Sequence, residues 1–220
     1  MTVRADALFE EGPVRRLLDL AIAVRDESGD PTRLREELDR FGRLVRDSPE
    51  ASWTMPLATV SELLGLLADR LADPQAGAVG PDVRDRLARA AGDRPAAEFL
   101  RDLAVYFRDQ DGEPSPGFDE LPMNYWEVWT RFCTMDCVSY PFRSGEFTPE
   151  AAAQVVAASR HPHECHTVMA AVAAEVQRAL LIFRTPQELN SALGPILTWV
   201  THDTLQLLLR AILDHFADEH

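Results

Sequence analysis

Apolar side chains recur at the helical period along almost the whole of this chain, and this pattern restricts its fold more than any other feature. The two clearest stripes run through Leu34, Leu38, Phe41 and Val45 and through Leu57, Val60, Leu64, Leu67 and Leu71. Residues three and four positions apart share one face of an α-helix. The alternation that is typical of strands is missing. The sequence therefore predicts an all-α protein.

Proline and glycine mark where the helices begin and end. Asp30, Thr148 and Thr185 each precede a proline, as a capping side chain does at a helix start, and Glu188 completes a capping box. We expect helices near residues 8–27, 31–47, 56–72, 82–91, 95–109, 121–140, 149–160, 162–184, 186–193 and 195–217. The predicted fold is a single-domain irregular helical bundle of about eight to ten helices.

One segment interrupts the helical pattern for longer than the others. Residues 111–117 read DGEPSPG, and neither proline nor glycine continues a helix readily. We interpret 111–120 as a linker between a half rich in arginine and acids, 1–110, and a more apolar half, 121–220. The two halves are expected to form one compact domain, because 220 residues suit a single core.

Composition excludes several classes of function. The chain has 22 arginines and no lysine, so lysine-dependent phosphate loops, kinase sites and Schiff bases are ruled out. A net charge of −14 disfavours nucleic acid and anionic membranes, and the arginines and acids alternating over residues 33–43 are typical of a solvated face. No apolar run reaches the length of a membrane span. Three cysteines, an odd number, favour a reduced, cytoplasmic protein.

The predicted helix 121–140 carries the first candidate site. Projected at 100° per residue, it places Asp136 on one face with aromatic residues, and an isolated buried carboxylate is very costly. Asp136 is therefore a candidate catalytic residue, with His202 at the edge of the last helix's buried stripe. The alternatives are that Asp136 caps a turn or forms a structural pair, and that His202 is a satisfied core histidine. The candidate ligand-binding residues on the same face are Tyr125, Trp129, Cys133 and Tyr140.

The segment His161 to His166, HPHECH, is the densest set of metal-binding side chains. His163, His166 and Cys165 are the candidate ligands, and Zn²⁺ is the metal that accepts such donors. Helical projection points Cys165 toward the core and His163 toward solvent, which weakens this hypothesis. The alternative is an exposed helix start with a small buried cysteine.

A cysteine nucleophile with a histidine base is a further hypothesis, pairing Cys165 with His202 or Cys133 with His166.

The leading functional prediction is a non-enzymatic, acidic helical protein that binds a protein partner, a second copy of itself or a small ligand. Catalytic signatures are lacking in the sequence, whereas wide apolar helix faces offer binding surface. The alternative is a metal- or Asp/His-dependent enzyme with a pocket between helix 121–140 and the carboxyl-terminal helices. The sequence leaves open whether any reaction is catalysed. Zinc is the one cofactor that it suggests.

Overall fold

A computed structural model describes residues 9, 12–48, 56–73, 79–138, 148–159 and 162–220. The predicted all-α class is confirmed, and these residues form eleven α-helices, one more than the upper end of the expected range. The chain divides into two compact units, Met1–Pro116 and Gly117–His220, whereas the sequence analysis expected one compact domain. The division falls inside the predicted linker.

Five helices of the first unit lie wholly within the described residues. They are α1 Pro13–Glu27, α2 Pro31–Asp47, α3 Leu57–Ala72, α4 Pro81–Ala91 and α5 Ala96–Gln110. The largest interface joins α3 to α5, and α1 packs against α4 and α2. Leucines from the predicted stripes, including Leu64 and Leu67, are fully buried in its core. The stripe prediction is therefore confirmed here.

Local signals fix the ends of these helices. The Asp30 side chain accepts a hydrogen bond from the Thr32 backbone N–H at 2.8 Å, which caps α2 before Pro31 as the sequence predicts. Helix α4 ends at Gly92, whose φ of 61° lies in the left-handed region. A side chain at Gly92 would also collide with the Arg25 guanidinium. Glycine is therefore required at that end.

The charged face predicted on α2 is partly buried, which corrects the expectation of a solvated surface. Glu37, Arg40 and Arg43 have exposed fractions of 5%, 7% and 1%. Arg40 Nη1 lies 2.8 Å from Glu37 Oε1, so opposite charges compensate each other. Periodicity alone does not distinguish such a paired, buried face from a solvated one.

Arginines of α2 also hold the linker. Arg43 donates a hydrogen bond to the Pro116 carbonyl at 3.0 Å. Arg46 donates to the Gln110 carbonyl at 3.0 Å and to the Glu113 carbonyl. The segment that follows α5 is thus bonded to the first unit by its backbone.

In the part of the second unit that the structure describes, there are six α-helices and one π-helical turn. The helices are α6 Tyr125–Arg131, α7 Cys133–Cys137, α8 Pro149–Ala157, α9 Ala170–Ile182, α10 Pro186–Leu193 and α11 His202–Glu219, with the π-helical turn at Cys165–Met169. Helix α11 packs against α8 and α9 around a core that includes Val172, Val176 and Leu208. The predicted caps at Thr148 and Thr185 are confirmed.

The predicted helix 195–217 begins later than expected. It starts at His202, because Thr201 and Thr204 exchange side-chain and backbone hydrogen bonds at 2.8 and 3.1 Å. This reciprocal cap fixes the helix start, and residues 194–200 form turns instead.

The predicted continuous helix 121–140 is wrong. It is interrupted at Phe132, whose φ of −136° and ψ of 35° are not helical, so α6 and α7 are separate. The carboxylate of Glu175 on α9 accepts hydrogen bonds from the backbone N–H groups of Thr134 at 3.1 Å and Met135 at 2.8 Å. These two amides lie in the first turn of α7 and have no acceptor within that helix. A side chain from another helix therefore caps the start of α7.

One helical stretch in the described ranges, Cys165–Ile182, is long and apolar enough to cross a membrane by length and composition, with a mean hydropathy of 1.3. Core helices meet the same criterion. Val172, Val176 and Ala179 of this stretch are fully buried in the second unit.

Candidate metal centre

Three side chains of types that can bind a metal ion, from two distant parts of the sequence, meet in the second unit. The ligand atoms of Cys165, His215 and His220 all lie within 4.8 Å of one another. Cys165 Sγ lies 3.2 Å from His215 Nε2, although the two residues are 50 positions apart. We call these three side chains the donor cluster.

The π-helical turn positions the thiol of the donor cluster. The backbone N–H groups of Val168 and Met169 both donate to the Glu164 carbonyl, at 2.7 and 3.2 Å, and the second bond spans five residues. Such turns are rare and occur frequently at functional sites. Cys165 is completely buried at this turn and faces the last turns of α11.

Helix α11 and the residue after it supply the imidazoles. His215 is half-buried near the end of α11, and His220 follows that helix and is exposed. The phenyl ring of Phe216 lies between these histidines in sequence and near both in space, with ring centroids 6.1 Å from His215 and 5.5 Å from His220. The cluster therefore has a buried thiol at one end and an accessible imidazole at the other.

Ser159 contacts the same thiol. Its Oγ lies 3.3 Å from Cys165 Sγ and donates a hydrogen bond to the Val156 carbonyl at 2.6 Å. Since the one hydroxyl proton is used in that bond, Ser159 presents lone pairs to the thiol. Loss of the thiol proton on metal binding would remove a donor from this contact and leave the Ser159 to Val156 bond intact.

The donor separation fits a small, soft cation. Tetrahedral Zn²⁺, with bonds of about 2.3 Å to sulfur and about 2.0 Å to nitrogen, holds such donors about 3.5 Å apart. The 3.2 Å between Cys165 Sγ and His215 Nε2 is close to that value. Thiolate and imidazole donors also suit Co²⁺ and Cu ions, whereas Mg²⁺ and Ca²⁺ prefer oxygen.

A surface cleft of about 340 Å³ borders the donor cluster at His215. Its remaining walls come from α8 and α11 and combine apolar residues with one charge of each sign. They are Pro149, Ala153, Val156, Ala157, Leu207, Arg210, Ala211 and Asp214. Water and small ions can therefore reach the edge of the cluster through the cleft.

Comparison with known protein families, with curated proteins and with solved structures finds no match to this chain. The candidate site consequently rests on its own geometry.

The predicted metal ligands separate in the structure. Cys165 lies in the donor cluster, and His166 lies beside it, with its ring centroid 4.4 Å from that of His220. His163 is exposed and outside the cluster, as its solvent-facing projection predicted. The sequence analysis missed His215 and His220, because no local spacing links the end of α11 to residue 165.

The two candidate catalytic residues do not lie as the sequence suggested. Asp136 is half-buried in α7, and the break at Phe132 ends the helical projection that placed it among aromatic residues. His202 is half-buried at the start of α11, with Nε2 3.2 Å from the Phe183 carbonyl, which fits the alternative of a satisfied histidine. The imidazole that contacts Cys165 belongs to His215 and not to His202.

The predicted ligand-binding face points outward. Tyr125 and Trp129 are 66% and 46% exposed and stack with ring centroids 6.1 Å apart. Cys133 is also exposed, and its sulfur contacts Thr134 and Glu175 instead of a histidine. Tyr140 lies outside the described residues. Tyr125, Trp129 and Cys133 therefore lie on the surface, and ligand binding by these residues stays a prediction.

Two charged side chains of α6 are buried. Glu127 and Arg131, which a helical projection of residues 121–140 places opposite the aromatic residues, are 0% and 2% exposed, and Arg131 Nε lies 3.1 Å from Glu127 Oε1. The Arg131 guanidinium also lies 5.6 Å from the ring centroid of Phe118. Their spacing of four residues is the signal that could have identified a pair.

Proposed function

We propose that this chain is a metal-binding helical protein whose second unit holds Zn²⁺, or a similar divalent transition metal ion, through Cys165, His215 and His220. The observation that carries the proposal is that one buried thiol, at Cys165, meets two imidazoles from the end of α11, about 50 residues later in the sequence, with all three ligand atoms within 4.8 Å of one another. Buried cysteines are common, but a buried cysteine that meets two histidines presents thiol and imidazole donors that Zn²⁺ and other transition metal ions accept.

Metal binding would connect the π-helical turn to the end of α11. Each ligand is present in its binding geometry only when these two elements pack together, so the ion favours the folded chain over the unfolded one. At a free metal concentration 100 times the dissociation constant, linkage adds about 2.7 kcal/mol to the free energy of unfolding. The proposed role is thus at least a stabilising one.

Metal titration of the purified chain tests the proposal. After treatment with a chelator, the protein is titrated with Co²⁺, whose bond to a thiolate gives a charge-transfer absorption. We expect one ion per chain, with that absorption displaced by Zn²⁺. The Cys165→Ser variant should lose the absorption, and His220→Ala, an exposed position that the fold does not depend on, should weaken binding at least about tenfold.

Cys137→Ser is the matched control. Cys137 is exposed, and its sulfur contacts the Cys133 backbone carbonyl, so this variant removes a thiol and should leave Co²⁺ binding unchanged. The proposal is wrong if the unaltered chain binds no Co²⁺ and no Zn²⁺, or if Cys165→Ser and His220→Ala bind the ion as the unaltered chain does.

The broader predictions from the sequence are compatible with this proposal and remain predictions. A stabilising metal ion suits a non-enzymatic binding protein, and a metal with an open coordination position would suit the alternative of an enzyme. The number of protein ligands distinguishes these two possibilities.

A further inference from the structure

We infer that His166 is the fourth protein ligand, so that the metal lies in a closed site of one thiolate and three imidazoles. This inference rests on the proposed function, because it concerns the same ion. A site with four protein ligands is structural, whereas a catalytic zinc site keeps one position for water or substrate. The inference thus decides between a structural and a catalytic metal.

His166 lies beside the donor cluster, although it is not among the residues whose ligand atoms all lie within 4.8 Å of one another. Its ring centroid lies 4.4 Å from that of His220, with an interplanar angle of 64°, and His220 lies 5.4 Å from His215. All three imidazoles also surround Phe216, whose ring centroid is 6.1 Å from that of His166. These three histidines lie around one phenyl ring, and together they supply the three imidazoles that such a site needs beside its thiolate.

The π-helical turn allows adjacent residues to reach one ion. Successive side chains of an α-helix diverge by about 100°, which separates neighbouring ligands. The hydrogen bond from Met169 N–H to the Glu164 carbonyl spans five residues, so the turn is wider and the angle between Cys165 and His166 is smaller. His166 is exposed, and its imidazole can therefore turn toward the ion without opening the core.

The charge balance also favours this ligand set. One thiolate and three neutral imidazoles around Zn²⁺ leave a net charge of about +1. The chain as a whole carries −14, so a residual positive charge is electrostatically favourable. A carboxylate as the fourth ligand is therefore not needed to compensate the charge of the ion.

Comparison of two histidine variants tests the inference. His166→Ala removes the proposed fourth ligand, and His163→Ala removes an exposed histidine three residues earlier that lies outside the donor cluster. Both are titrated with Co²⁺, whose visible absorption is strong in tetrahedral sites and weak when water raises the coordination number. We expect His166→Ala to bind at least about tenfold more weakly and to lose the tetrahedral spectrum, while His163→Ala matches the unaltered chain.

The outcomes separate this inference from the proposed function. If His166→Ala keeps the affinity and the spectrum while Cys165→Ser loses them, the site has three protein ligands and only the inference fails. If both histidine variants weaken binding equally, His166 has no specific place in the site and the inference also fails. If the unaltered chain binds no metal, both proposals fall.

Discussion

The carboxylate of Glu175 on α9 is buried, and backbone amides stabilise it. Its two oxygens accept hydrogen bonds from Thr134 and Met135 at the start of α7, where the helix dipole also favours a negative charge. The sequence analysis singled out Asp136 as a buried carboxylate and candidate catalytic residue, with a turn cap or a structural pair as alternatives, and Asp136 is half-buried in the same short helix. Nothing near Glu175 in the sequence indicates a cap 40 residues away, so local patterns could not identify it.

Replacing the two acids separates their roles. Glu175→Gln keeps the size of the side chain but removes the charge and one of the two acceptor oxygens. We expect it to lower the free energy of unfolding by about 1 to 3 kcal/mol, whereas Asp136→Asn should cost less than about 1 kcal/mol. Urea denaturation followed by circular dichroism measures both. Equal losses in the two variants would contradict the assignment to Glu175.

At the scale of elements, the break between α6 and α7 explains why the predicted faces are reversed. Projection of residues 121–140 as one helix predicted that the aromatic side chains are buried. In the structure, the buried face of α6 carries the ion pair of Glu127 with Arg131. Tyrosine and tryptophan tolerate exposure because their rings carry a polar group. Apolar stripes predicted the helices with uniform faces, such as α3, and failed where opposite charges neutralise each other inside.

The Glu127 and Arg131 pair should be far more sensitive than a surface pair. Glu127→Gln leaves a buried guanidinium without its carboxylate, so we expect a loss of about 3 to 5 kcal/mol in the free energy of unfolding. The control is Asp26→Asn, which disrupts the exposed pair of Asp26 with Arg89 and should cost about 1 kcal/mol or less. The double variant Glu127→Leu with Arg131→Met should recover most of the loss. A Glu127→Gln variant that loses no more free energy of unfolding than Asp26→Asn would contradict a buried ion pair in α6.

At the scale of the whole molecule, the sequence carries a signal for a linker but none for how that segment is attached. Two prolines and two glycines indicated the linker at 111–120, and the division after Pro116 lies within it. The contacts that hold this segment involve backbone carbonyls, which every residue carries. Residue types therefore contain no signal for them, and the same holds for the meeting of Cys165 with His215.

Limited proteolysis measures how firmly the linker is held. Arg46→Ala removes the donor to the Gln110 and Glu113 carbonyls, so we expect a nonspecific protease to cleave residues 111–116 several times faster than in the unaltered chain. Arg101→Ala is the control, because Arg101 is exposed and pairs with Asp69 on a different helix. Mass spectrometry of the fragments locates the cut. Identical cleavage rates in both variants would show that these bonds do not protect the segment.

The attachment of this segment to α2 has a practical consequence for anyone who recombines the two units. A splice directly after Gln110, where the helical composition stops, would discard the Pro116 carbonyl that accepts from the buried Arg43 guanidinium. A splice after Pro116 keeps every one of these acceptors with its arginine. A chimera joined after Pro116 would carry its foreign unit on a segment that is bonded to α2. A chimera joined after Gln110 would lack that bonded segment.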